Sequence, residues 1–215
     1  METNAAVLMA LAIFGAITAL IIWAGGRATA KSRRNGEALA ARLGLTLEPG
    51  TPKLGWFYPS PRGYGVIRGK RVEFFSYATG SGKSRVQWAA VTVKPPDAGG
   101  LTFGIDRQGM LTKLGELFGM KEIEVGDPAF DAKWFLQTNQ PEFFRAAFLP
   151  ELRTKLTALA DQGLLRGAIT LKDGVVEYKE RGTFHNEAQC ARIAGVVDLA
   201  CDLADVAEVW ANRSR

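Results

Sequence analysis

Residues 5–24 read AAVLMALAIFGAITALIIWA, twenty positions without a single charge. At about 1.5 Å rise per residue a helix of that length is about 30 Å long, the thickness of a bilayer's hydrocarbon core. The stretch reads as one transmembrane helix, with about 190 residues held beside the membrane. A cleaved signal peptide would want a basic start and an apolar core of roughly 7–15 residues. Here the start is Met1-Glu2-Thr3-Asn4 and the apolar run is longer, although Ala28-Thr29-Ala30 imitates a cleavage site. A helix of a soluble core is rarely apolar all round for twenty residues. The uncleaved anchor is the reading the residues favour.

Arg27, Lys31, Arg33 and Arg34 follow the span, and no basic residue precedes it. Basic flanks stay in the cytoplasm, so the N-terminus is expected outside and the bulk of the chain inside. Trp23 falls at the cytoplasmic end, where an amphipathic ring favours the interface. The expected organisation is an anchor over 1–26, a basic juxtamembrane helix over 27–44 and a cytoplasmic α+β domain over 45–215.

The rest of the chain has the composition of a globular protein, 47% hydrophobic and 23% charged, enough for one domain or two packed halves. Charge is uneven. Residues 27–71 hold ten Lys/Arg against two acids, a net +8, whereas residues 72–215 hold 17 basic and 19 acidic residues, a net −2. A basic segment nearest the membrane would be drawn to anionic lipid by roughly 1 kcal/mol per well-placed cation. The competing reading is that these charges set topology and decorate solvated strands. Nucleic acid is not an expected partner, since the domain beyond the anchor is not strongly basic and carries no binding motif. Cys190 and Cys201 lie eleven residues apart in one predicted helix, roughly 16 Å, too far for a disulfide. They read as small buried hydrophobes in a reducing compartment. With His185 they match no zinc spacing, and neither a metal nor a cofactor is expected.

Along the chain, residues 35–44 favour helix up to Gly44, a juxtamembrane helix that could continue the anchor apart from Gly25-Gly26. Residues 45–105 hold β-branched and aromatic runs broken by Gly and Pro, an antiparallel meander. Asp106 could cap a helix over 107–118, with Leu111, Leu114 and Phe118 on one face. Short strands follow at 122–125 and 134–138. Asn139-Gln-Pro-Glu142 resembles a capping box, and Pro150 opens a helix that stops at Gly163. Asp173-Gly174 between two β runs signals a type I′ hairpin. Residues 186–210 form a long amphipathic helix with Ile193, Val196, Val197, Ala200, Leu203, Ala207 and Trp210 as its stripe. The class is α+β: a transmembrane helix, then an antiparallel sheet with packed helices, in two loosely related halves.

Three motifs invite chemistry. Gly80-Ser-Gly-Lys83-Ser84 imitates the end of a P-loop, but Tyr77 stands where the first glycine is needed and a strand, not a helix, follows. A hairpin turn explains it better. Gly126-Asp127-Pro128-Ala129-Phe130-Asp131 could be a carboxylate pair for metal or acid–base work. The stronger reading is a capped helical turn: Asp127 at N-cap, Pro128 at the first position, Phe130 as anchor. Trp56-Phe57-Tyr58-Pro59, with Arg62, Arg68, Lys70 and Arg71, could rest on headgroups, or could be a core strand with a solvated basic edge. His185, at a strand-to-helix junction, has no nucleophile partner in sequence.

The string Ile123-Glu-Val-Gly-Asp-Pro-Ala-Phe-Asp-Ala-Lys-Trp-Phe, followed by Leu149-Pro-Glu-Leu-Arg-Thr-Lys-Leu, resembles a group of bacterial membrane-anchored proteins of unknown function. In them a GDPxFDxx(F/W) segment precedes an LxPxLRxxL helix. The resemblance implies a domain at the bacterial inner membrane without an established activity, and supplies no catalytic residues. The expected function is accordingly a non-catalytic interaction or scaffold domain, its partner another protein or a second copy. The alternative is a module for lipid or another apolar ligand at the inner leaflet, its cavity lined by some of the 21 aromatics. A hydrolase built on Asp127 and Asp131 is the weakest of the three.

Overall fold

The computed structural model describes residues 2–52, 58–108 and 120–214. It opens on one helix, α1 (Glu2–Leu43), of 42 residues. The helix does not break at Gly25-Gly26. Two glycines cost roughly 2 kcal/mol of helix propensity, but the segment beyond them is held from outside by packing, because Leu39 and Ala40 are core residues. Anchor and juxtamembrane segment are thus a single rod. Gly44, at φ 67°, ends it.

Nine strands form one continuous sheet in which all neighbours run antiparallel, in the order β1-β2-β3-β4-β9-β8-β5-β7-β6. They are β1 (Thr46–Leu47), β2 (Gly63–Ile67), β3 (Lys70–Thr79), β4 (Val86–Lys94), β5 (Phe103–Arg107), β6 (Lys121–Ile123), β7 (Trp134–Thr138), β8 (Ala168–Lys172) and β9 (Val175–Arg181). The expected meander is β2 to β4. The hairpin β8–β9, turning on Asp173 (φ 51°) and Gly174 (φ 74°), inserts between β4 and β5 and joins the earlier and later segments into one sheet.

The other α-helices among the described residues are α2 (Pro128–Asp131), α3 (Pro141–Ala147), α4 (Pro150–Asp161) and α5 (Glu187–Arg213). The α5 stripe behaves as its period demands: Ile193, Val196, Val197, Ala200, Leu203 and Ala207 are buried, and Trp210 packs partly buried beside them. The helix lies across β4 and β9, with α1 and α4 both against it. Val72, Phe74, Val91, Val93, Val176 and Tyr178 rise from the sheet to meet it. Cys190 and Cys201 are buried and unpaired, as their spacing requires.

Two local expectations are corrected. Asp106 is no helix cap; it is buried within β5, where its carboxylate accepts the Arg107 N–H at 2.8 Å. Pairing with Phe135 of β7, in a strand whose preceding residues Phe103–Ile105 also pair with β8, overrides its capping preference. The remainder of the expected 107–118 helix lies outside the described residues, as do Trp56 and Phe57. The Asn139 capping box does not form either. Gln140 occupies the N-cap of α3 without a side-chain bond, while the Asn139 amide accepts from Thr102 N (2.9 Å) and donates to Gly100 O (2.8 Å), fastening the loop before β5.

Candidate functional site

The site follows from where α1 leaves its exposed apolar stretch and enters the body. Of the fourteen exposed large hydrophobics among the described residues, ten lie on α1 between Val7 and Trp23. Water does not tolerate an apolar surface so concentrated. The described part of α1 contains a window of mean hydropathy 2.0, none of it buried against the rest of the protein. This helix is long and apolar enough to cross a membrane, and it fits membrane association.

Past Trp23 the same helix is drawn into the domain by a short series of contacts. Thr29 Oγ1 donates to Gly26 O (3.0 Å) and accepts the Tyr58 N–H (3.3 Å). Arg33 pairs with Glu37 at 3.2 Å and donates to Glu48 O at 2.9 Å. The buried Asn35 amide donates to Phe184 O (2.8 Å) and His185 O (3.0 Å). Gly36 has no side chain because Pro61 occupies the space: a Cβ there would stand 2.3 Å from Pro61 Cβ. The His185 ring lies 3.3 Å from Ala28 O. Lys31 reaches Glu187 at 3.7 Å.

Two grooves run beside this junction and meet along Trp23, Arg27 and Ala30. One, of about 590 Å³, is apolar and lies toward the exposed stretch, against Ala19, Ile22, Gly26 and Tyr58. The other, of about 660 Å³, lies toward the body, against Lys31, Arg34, Asn35, His185 and Glu187. The Arg27 guanidinium sits on the shared ridge, 4.5 Å from the centre of the Trp23 ring. Residues 27, 31 and 34 share a helical face because they are spaced four and three apart. Trp23, Arg27, Lys31 and Arg34 therefore gather at one place, and Arg33 turns instead into the domain. Sequence spacing exposed this face; the contribution of Tyr58, His185 and Glu187 could not be read from it.

The Gly126–Asp131 string is a cap. Asp127 accepts from Phe130 N at 3.2 Å with Pro128 at the first helical position. The Asp131 carboxylate accepts from Val125 N (3.0 Å), Gly126 N (3.1 Å) and Asp127 N (3.1 Å). Phe130 is buried, stacked 5.9 Å from Trp134. Both carboxylates are turned to the backbone. The Gly80–Ser84 string is the β3–β4 turn, with Thr79 opposite Val86.

Sequence reading missed two charged assemblies. Glu180, buried, accepts a bidentate contact from Arg192 (2.8–3.1 Å) and the Tyr178 hydroxyl proton (2.9 Å). Burial, then the neighbouring Glu180 charge, pushes the Tyr178 phenol well above its ordinary range. Along α5, Asp198, Asp202, Asp205 and Glu208 meet Arg68, Lys70 and Lys155. Their spacing of three and four along a helix was the available signal. Burial first, then the neighbouring Glu187 and Glu180 charges, push the Cys190 thiol up to about 11, which disfavours the reactive thiolate at neutral pH.

No protein-family model and no curated protein matches the sequence. Among solved structures, the crystal structure of the mycobacterial trehalose monomycolate transport factor A, TtfA, is similar, with a TM-score of 0.53 and 12% identity over 80% of this chain and 92% of that chain. At that identity the likeness is one of fold: an α+β sheet architecture shared over most of both chains.

Proposed function

We propose that this chain is a single-pass protein of a bacterial inner membrane, N-terminus outside, that holds a non-catalytic interaction domain rigidly against the cytoplasmic face. The observation that carries the reading is the unbroken α1: the helix that is exposed and apolar at one end is core at the other. A tether that merely retained a domain would need no such packing. Rigid continuity gives the domain a fixed face toward the bilayer, made by Tyr58, His185 and the exit of α1. Asp127 and Asp131, both engaged in capping, favour a domain that binds over one that catalyses.

Two measurements test it in intact cells. A Thr3→Cys variant should react with a membrane-impermeant thiol reagent from outside, since both native cysteines are buried; protection would overturn the orientation. Extraction in mild detergent should recover a stoichiometric protein partner or a defined homo-oligomer. Recovery of neither would overturn the interaction reading and move the weight to lipid. That second reading, a module for lipid at the inner leaflet, is favoured by the apolar groove at the helix exit. The fold shared with a trehalose monomycolate transport factor is compatible with it.

A further inference from the structure

We infer that the two joined grooves at the exit of α1 form one seat for an anionic phospholipid of the adjoining leaflet, its chain against Ile22, Gly26 and Tyr58 and its phosphate between Arg27 and Arg34. The inference rests on the membrane reading above and goes beyond it by naming a ligand class and a site. Three observations carry it. First, the apolar groove opens at the height of Trp23, where hydrocarbon gives way to headgroups. Each groove is of ligand size, and the two share the Trp23–Arg27–Ala30 ridge, so an amphipathic molecule can lie along both.

Second, unpaired charge gathers there: of the other described cations in the basic segment, Arg42 at the far end of α1 alone also has no ion pair, and Arg33 meets Glu37. Arg62 and Arg71 pair with Glu73, and Arg68 and Lys70 pair with the acids of α5. Within the grooves Lys31 meets Glu187, the one acid present. Among the described residues, Arg34 has no anionic partner and Arg27 meets only the Trp23 ring. An arginine stacked on an indole keeps its fork of donors directed outward, the geometry that binds phosphate in two-point fashion. Third, the wall opposite the arginines is built: the 183–186 connection is pinned to α1 by Asn35, so His185 and Glu187 stay in place with no ligand present.

The test uses the full chain in nanodiscs. The unmodified protein and an Arg27→Gln/Arg34→Gln variant are released into native mass spectrometry after titration with phosphatidylglycerol, phosphatidylcholine or inorganic phosphate. Lys31 and Arg33 remain to direct insertion, and a Lys121→Gln/Lys172→Gln variant, altered at exposed strand ends of the domain, serves as the charge-matched control. One retained phosphatidylglycerol per chain is expected, weakened about 30-fold by the double arginine change and unaffected in the control, from roughly tenfold per 1.4 kcal/mol and about 1 kcal/mol per cation. Equal retention of phosphatidylcholine, or equal loss in the control, would overturn it. Retention of phosphate alone would overturn the lipid and leave a simple anion site. If Thr3→Cys is protected from outside, the orientation on which this inference rests fails; if it reacts and the lipids are not distinguished, only this inference fails.

Discussion

At the residue scale, what matters is which polar groups are consumed internally. Asp131 is the clearest case. One carboxylate satisfies three consecutive backbone N–H groups, which a turn of four residues cannot satisfy by helical bonding. Hydrogen bonds to a charged group are each worth roughly 1.5–3 kcal/mol, and their loss here is partly offset by water. Asp131→Ala should therefore lower stability by about 2–3 kcal/mol, read as the thermal midpoint of the full chain in detergent, with partner recovery unchanged at temperatures where the variant is folded. An unchanged midpoint with lost partner recovery would instead make the motif a binding site. Glu180 repeats the logic in the interior, where Arg192 and Tyr178 together occupy its acceptors.

At the element scale, α1 and α5 define the molecule. In α5 the hydrophobic period was plain, and burial followed it. In α1 the apolar stretch was equally plain, yet the role of residues 35–43 was not, because a short Ala-rich helix looks alike whether it lies on a surface or in a core. Leu39, 2% exposed, separates the cases. Leu39→Ala should cost about 2–5 kcal/mol, the range for emptying a core leucine site. The check is a denaturation midpoint of the full chain beside a Leu20→Ala variant, which alters an exposed anchor position and should leave the domain's midpoint in place. Equal midpoints for Leu39→Ala and the unmodified chain would detach the juxtamembrane segment from the core. A truncated domain intended to fold must likewise keep Asn35 and Gly36.

At the scale of the whole molecule, the ladder on α5 ties the β2–β3 turn, α4 and the C-terminal helix together. Arg68 accepts a positive φ of 53° at that turn and is held by three carboxylates. Hydrogen bonding from Lys155, against some burial, holds the Asp198 carboxyl below the usual carboxylate range. A group with its folded pKa depressed adds stability above its unfolded value, about 3.9 for Asp, and that stability is lost as pH falls through the folded pKa. The thermal midpoint should decline below about pH 4, and less steeply in Asp198→Asn. Identical acid slopes would show that the ladder adds nothing measurable. For Lys70, burial opposes the charge, but Asp205 and Glu208 outweigh it and raise the pKa, so its contribution holds at neutral pH and fades only in strong alkali.

The anchor, the C-terminal helix, the Asp-Gly hairpin and the Asp127 cap were legible because each is set by neighbours within a few residues, where propensity, period and capping act. Four chain-distant facts were not: the seating of β8–β9 between β4 and β5, the continuity of α1 into the core, the pairing of the basic segment with α5, and the grooves closed by Tyr58 and His185. These depend on pairings between segments up to about 150 residues apart, and no local residue pattern encodes which strand edge or helix face a distant segment will meet. The sequence by itself thus determined an apolar anchor with an α+β domain behind it. Tertiary structure alone decided which of the charges are spent on folding and which are left beside the apolar stretch of α1, because a cation is free only after the distant acids have chosen their partners.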